Sequence, residues 1–139
     1  MKIKRIEHIA IAVGDLDSMA RIMSDKLGIE VEYAEEIGGR TRLAMLPVGQ
    51  SYVELLQSLQ PGSNTDKWVK EKGDSLYHIC FEVEDIDAAL AELKAKNTPL
   101  LNEEPVIGHG NCRIAFIDPK ATGNILFELA EMPAEKAGH

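Results

Sequence analysis

The sequence predicts the α+β class: two tandem βαβββ modules with pseudo-two-fold symmetry, forming a concave, partly open mixed β-sheet barrel. Three observations carry this. First, the chain repeats itself, because His8-Ile-Ala-Ile-Ala-Val-Gly-Asp-Leu-Asp17 returns as His78-Ile-Cys-Phe-Glu-Val-Glu-Asp-Ile-Asp87. Second, later stretches return in the same order: Arg42-Leu-Ala-Met-Leu46 as Arg113-Ile-Ala-Phe-Ile117, and Val53-Glu54-Leu55 as Phe127-Glu128-Leu129. The spacing drifts only slightly, as a duplication followed by small loop changes predicts. Third, 139 residues at 45% hydrophobic content can bury one real core but cannot hold a catalytic domain plus a separate binding domain. The expected layout is a single domain over 1–139. Module one spans about 1–59, a linker with a short helix about 60–74, module two about 75–132, and a polar tail 133–139.

Each module reads strand, helix, strand, strand, strand. Residues 6–13 alternate as a half-buried strand, with Ile9, Ile11 and Val13 on one face and His8, Ala10 and Ala12 on the other. Asp15-Leu-Asp-Ser is a helix start, and that helix runs to Lys26 before Gly28 stops it. Strands at 29–36, 41–47 and 51–57 follow, with Gly38-Gly39 and Pro47-Val-Gly49 as turns. Gln60-Pro-Gly-Ser-Asn opens the linker, whose short helix carries Trp68 as a packing anchor. Module two repeats the pattern with a strand at 77–83, a helix at 86–96 and strands near 99–103, 112–118 and 124–130. Ile86, Leu90 and Leu93 form the apolar stripe of its helix.

The same alternation aims four polar residues. Val53 and Leu55 share one face of their strand and Glu54 the other; Phe127 and Leu129 likewise oppose Glu128. If the β-branched and aromatic faces pack on the helices, His8, Glu54, His78 and Glu128 all turn to the concave face. Carboxylates on strands with apolar neighbours carry a large desolvation cost unless a cation, a donor or a proton meets them. Two imidazoles and two carboxylates at one point make a divalent-metal site, and four protein ligands leave two octahedral positions for water or a bidentate substrate. One ion per chain is expected, with cobalt, manganese, nickel and zinc all compatible with these donors.

Other polar residues give weaker signals. His109, in Gly108-His-Gly110-Asn, reads as a solvated loop histidine, while Gly108 and Gly110 can let backbone approach a substrate. Lys120 can meet an anionic group or simply occupy an exposed turn. Arg42 and its counterpart Arg113 begin strands, where Arg42 can either grip a substrate carboxylate from the cavity rim or pair with a surface acid. Cys80 reads as strand filler and Cys112 as a loop thiol; neither has metal or redox spacing, which suits a reducing compartment. The formal net charge of −8 argues against a nucleic-acid partner. The apolar run Ile9–Val13 is too short for a signal peptide or a membrane span, so a cytoplasmic protein without a membrane partner is expected.

These residues resemble a known family. The paired modules are similar to the glyoxalase/bleomycin-resistance/dioxygenase, or vicinal-oxygen-chelate, superfamily, and within it to the methylmalonyl-CoA epimerase family. The stretches that carry the resemblance are His8-Ile-Ala-Ile-Ala-Val, Leu46-Pro-Val-Gly49 with Val53-Glu-Leu-Leu56, and Leu76-Tyr-His-Ile-Cys-Phe-Glu-Val83. Glu103-Glu-Pro105 with Gly108 and Gly110, and Phe116-Ile-Asp-Pro-Lys120 running to Leu126-Phe-Glu-Leu129, are the most specific for the epimerase branch. The resemblance implies metal ligation by His8, Glu54, His78 and Glu128, a CoA-thioester substrate and a homodimer. It departs in four places. Arg42 stands where some epimerases carry a second catalytic glutamate, and a guanidinium cannot serve as a base. Tyr77, Asp118 and the Ile22-Met23 pair replace residues common in the family.

The implied activity is epimerisation of methylmalonyl-CoA by proton abstraction alpha to the thioester. Glu128 and Glu54 are the catalytic candidates, Glu128 as the base. Arg42, Lys120, Gly108 and Gly110 are the substrate-binding candidates. Two alternatives remain open: a glyoxalase I-like lactoylglutathione lyase using the same ligands, and a non-catalytic bleomycin-resistance-type protein that sequesters a ligand.

Overall fold

A strand-helix-strand-strand-strand order appears twice. The computed structural model describes residues 1–134; the expected tail beyond them, His139 included, lies outside the described residues. The strands are β1 (Ile3–Ala12), β2 (Tyr33–Ile37), β3 (Thr41–Val48), β4 (Ser51–Ser58), β5 (Ser75–Val83), β6 (Val106–Ile107), β7 (Arg113–Ile117) and β8 (Phe127–Glu131). The helices are α1 (Leu16–Leu27), α2 (Asn64–Lys72) and α3 (Ile86–Ala95). Among the described residues no helix is long and apolar enough to cross a membrane. The chain divides into two compact units, one comprising His8–Tyr77 and the other Met1–Glu7 with the described residues from His78 onward. Both β1 and β5 therefore change unit part-way along. Glu7 and His8 are consecutive buried residues at that point, where simple alternation would expose one of them.

In the His8–Tyr77 unit, the second half of β1 runs parallel to β4, with Ala10 opposite Glu54, and β4, β3 and β2 follow antiparallel. One face of this sheet packs Ala44, Leu46 and Leu55 against Val13 and the α1 residues Leu16 and Met23. Leu46 and Leu55 are fully buried, each contributing about 2 kcal/mol of transfer free energy. Helix α1 starts where Asp15 accepts the Ser18 amide and where the Leu16 amide donates to Gln57 Oε1 at 2.8 Å. It stops at Gly28, whose φ of 68° is the left-handed conformation that a side chain would strain. Helix α2 is capped by Ser63, and its Trp68 donates to Ser75 Oγ at 2.8 Å while packing edge-on against Tyr77. Trp68 is thus an anchor.

The other unit repeats the plan. Strand β8 runs parallel to β5, and β8, β7 and β6 follow antiparallel. Val83 and the α3 residues Ile86, Ala89 and Leu90 pack on Ala115, Ile117 and Leu129. The cap returns as well, because the Ile86 amide donates to Glu131 Oε1 at 3.0 Å just as Leu16 does to Gln57. One element differs from expectation: 99–103 is not a strand. Leu100 makes an isolated bridge to Ile117, and Asn102 Oδ1 takes the Phe116 amide at 3.0 Å, a place that a backbone carbonyl would fill in a ladder. Prolines at 99 and 105 remove two backbone donors from the segment, and the paired strand is the short β6 beyond them.

Candidate functional site

Strand alternation delivers each ligand candidate to the sheet face opposite the helix. In the His8–Tyr77 unit that face carries Ala10, Leu43, Met45 and Leu56, with Tyr33, Tyr52 and Tyr77 around them. His8 and Glu54 lie among these residues, 0% and 3% exposed, with His8 Nε2 3.3 Å from Glu54 Oε1. In the other unit the face carries Cys80, Cys112 and Ala130, and there His78 Nε2 lies 3.0 Å from Glu128 Oε1. Both members of this second pair are buried, and the Phe116 ring packs edge-on against His78. Each unit so holds one buried imidazole against one buried carboxylate. A carboxylate removed from water costs several kcal/mol unless charge or a proton meets it. Each pair offers one imidazole nitrogen and one carboxylate, donor types suited to a first-row divalent ion.

Arg42 lies elsewhere. It is opposite Gln57 in the β3–β4 register and so belongs to the helix-packed face, where its guanidinium donates to both carboxylate oxygens of Asp17 at 2.9 and 3.1 Å. Arg113 does the same to Asp87, at 2.9 Å for both bonds. These bonds hold the Asp17 and Asp87 carboxyls below the usual carboxylate range and push both guanidinium groups up. Of the two readings of Arg42, the surface pair with Asp17 is the one the structure contains. The β3 residues on the Glu54 side are Thr41, Leu43 and Met45, since Met45 stands opposite Glu54. None of them can accept a carbon-bound proton.

The remaining candidates also move. Gly108 is buried, and a Cβ there would meet Ile114 Cδ1 at 2.6 Å, so its missing side chain makes room for Ile114. Gly110 has φ 57° within the 3₁₀ turn His109–Asn111 and is needed for that turn's geometry. Lys120 is exposed in a second 3₁₀ turn, Pro119–Ala121, which starts at Asp118. His109 is the larger surprise. It is 4% exposed, not solvated, and its Nε2 lies 2.8 Å from Glu7 Oε1. Nearby, Arg5 Nε donates to Glu82 Oε1 at 2.6 Å. Glu82 was legible from the alternation that picked His78, but no spacing in the sequence links Glu7 to a residue in a distant loop.

Residues 7–116 match the Glyoxalase/Bleomycin resistance protein/Dioxygenase superfamily, and the chain belongs to it. The human mitochondrial methylmalonyl-CoA epimerase is 34% identical over 129 residues, covering 91% of this chain and 73% of the relative. An ethylmalonyl-CoA/methylmalonyl-CoA epimerase of Cereibacter sphaeroides is 34% identical over 133 residues, covering 94% and 99%. A solved single-site variant of the Streptomyces coelicolor methylmalonyl-CoA epimerase, in complex with 2-nitronate-propionyl-CoA, superposes with a TM-score of 0.91 at 34% identity over 96% of this chain and 97% of that one. Within its superfamily the chain is an isomerase of the epimerase kind, similar to methylmalonyl-CoA epimerases over 91–96% of its length.

Proposed function

We propose that this chain epimerises methylmalonyl-CoA, with His8, Glu54, His78 and Glu128 together holding one divalent ion. The observation that carries the reading is the duplicated buried pair: each unit sets a histidine Nε2 within 3.3 Å of a glutamate oxygen on the face away from its helix. The substrate comes from the names of relatives that match nearly the whole chain. Cobalt, manganese, nickel and zinc all suit the donors. Bound there, such an ion would supply Lewis-acid stabilisation of the negative charge that develops on the thioester oxygen.

The chain's own residues account for proton movement. Glu128, a carboxylate sheltered from water, removes the proton on C2, between the thioester and the free carboxylate. The C–H electron pair moves into the C1–C2 bond as the thioester carbonyl becomes an enolate. A proton delivered to the opposite face of C2 completes the inversion. Apolar neighbours surround each pair, Met45 and Leu56 in one unit and Ala130 in the other, and apolar surroundings strengthen the charges they enclose. Cys80 and Cys112 are buried and form no disulfide, which suits the reducing cytoplasm, and a homodimer is the expected assembly.

The test is exchange of the C2 proton into deuterated water, followed separately for each enantiomer of methylmalonyl-CoA, with the hemithioacetal of glutathione as a parallel substrate. Enzyme-dependent exchange and inversion of methylmalonyl-CoA are expected. Turnover of the hemithioacetal alone would move the assignment to a lactoylglutathione lyase, and no turnover of either would leave a sequestering protein.

A further inference from the structure

Glu128 has two partners across the sheet on its own face, Cys80 on β5 and Phe116 on β7. Cys80 is 0% exposed and Phe116 is part-exposed, so of the two it is Phe116 that offers surface on that face. We propose that Phe116 is a specificity-determining residue: its ring sets how large an alkyl group a malonyl thioester can carry at C2 and still be turned over. This rests on the epimerase reading above and names the substrate range of that same site.

Backbone bonding sets the ring close to the carboxylate. The Phe116 amide donates to Asn102 Oδ1 at 3.0 Å and its carbonyl accepts from the Leu101 amide at 2.9 Å, so both groups point away from β8. Phe116 and Glu128 are therefore a non-hydrogen-bonded antiparallel pair. In such pairs the side chains stand nearest to one another, with Cβ atoms about 4.5–5.5 Å apart. The same two bonds anchor the residue, and its ring meets His78 edge-on, with centroids 5.3 Å apart and planes at 81°. A ring held on both counts is a fixed wall. Met45 has the equivalent place opposite Glu54 in the other unit, but it is 0% exposed and presents no surface.

The chemistry of C2 selects what lies against that wall. The carbon carries a hydrogen, a carboxylate, a thioester carbonyl and an alkyl group, and the hydrogen faces Glu128 when it is removed. A phenyl ring accepts no hydrogen bond of the kind those oxygens need from water, and its faces turn the negative side of a quadrupole on them, so carboxylate and carbonyl lose hydration there without compensation. The alkyl group has the opposite preference. Against the ring it removes apolar surface of both partners from water. Each methylene added to it presses on a side chain that is anchored in place, and one methylene in an apolar pocket is worth about 10–200-fold in discrimination. The wild-type enzyme should accordingly prefer a methyl to an ethyl substituent.

The test measures kcat/KM for epimerisation of methylmalonyl-CoA and of ethylmalonyl-CoA on the same preparations of wild type, Phe116→Leu, Phe116→Ala and Phe116→Trp. The ratio of the two values is the readout, because a loss of folded protein or of bound ion lowers both substrates together and cancels. The ethyl-to-methyl ratio should rise about 10-fold or more in Phe116→Ala, rise less in Phe116→Leu and fall below wild type in Phe116→Trp. Ratios that stay within about twofold of wild type, whatever the absolute rates do, would make the ring merely structural and overturn the proposal. If Phe116→Ala does not fold, Phe116→Leu and Phe116→Trp must still move the ratio in opposite directions, and a common direction counts against the proposal equally. Wild type that uses the two thioesters equally well also overturns it. Wild-type protein that epimerises neither thioester would instead remove the epimerase reading itself; wild-type turnover with an unmoved ratio in the variants removes only the role of Phe116.

Discussion

Replacing Glu128 by glutamine separates chemistry from folding. Glu128 is 2% exposed, stands opposite Cys80 in the sheet, and places Oε1 3.0 Å from His78 Nε2. Glutamine has nearly the same volume, so no cavity opens and the large penalty of a deleted core group does not arise. What disappears is a base. A positioned general base contributes about 10²–10⁴ in rate, which corresponds to about 3–5 kcal/mol on the activation barrier. Glu128→Gln should therefore lower the epimerisation rate constant by at least about 100-fold while thermal unfolding changes little. Glu128→Asp keeps the charge but withdraws it by one methylene, and a displacement of that order should also cost about 100-fold. The assay is conversion of one enantiomer of methylmalonyl-CoA to the other, with metal content measured in the same preparations so that a lost ion is told apart from a lost base. A Glu128→Gln protein that keeps its metal and more than a tenth of wild-type turnover would refute the assignment.

Two further outcomes follow from the paired arginines. Arg42→Ala should leave both the turnover number and the Michaelis constant within about twofold of wild type, since the guanidinium serves Asp17 on the helix side; a Michaelis constant raised tenfold with unchanged turnover would mean that Arg42 does bind substrate. The lowered carboxyls of Asp17 and Asp87 set a pH sign: their contribution to stability is present above the unfolded aspartate range and is lost as pH falls through their depressed folded values. Acid unfolding curves of Asp17→Asn and Asp87→Asn should accordingly lie closer to the wild-type curve at low pH than near neutrality, and a gap that widens on acidification would contradict the sign.

Much of the architecture was legible because the duplication writes each periodic signal twice. Alternation in β1, β4, β5 and β8 sorts the helix-packed residues Leu55 and Leu129 from the opposite-face residues Glu54 and Glu128, and Leu55 and Leu129 are members of the clusters packed on the helices. Helix starts at Asp15 and Asp85 and the stop at Gly28 were written in single residues with one physical role each. What escaped depended on partners far apart in sequence. His109 looked like a loop histidine because glycines flank it, and only the fold brings Glu7 to it. Arg42 in its own strand is compatible with both a rim grip and a surface pair, because its strand neighbours are small and apolar. Its register against Gln57, which decides the face, is not written in its own strand. The segment 99–103 carried enough apolar residues to read as a strand, while its flanking prolines and the Asn102 side chain shifted regular pairing to β6.

The central claim is that two buried His–Glu pairs, one in each unit, serve a single ion. Elemental analysis of protein loaded with cobalt or manganese and freed of excess by dialysis measures this directly, on wild type, His8→Ala and His78→Ala. The account predicts about one ion per chain for wild type and loss of most of it in either variant, because each removes one ligand of a shared four-ligand site. Two ions per wild-type chain with each variant losing one would mean separate sites, and metal content unchanged in both variants would mean that these histidines hold no ion at all.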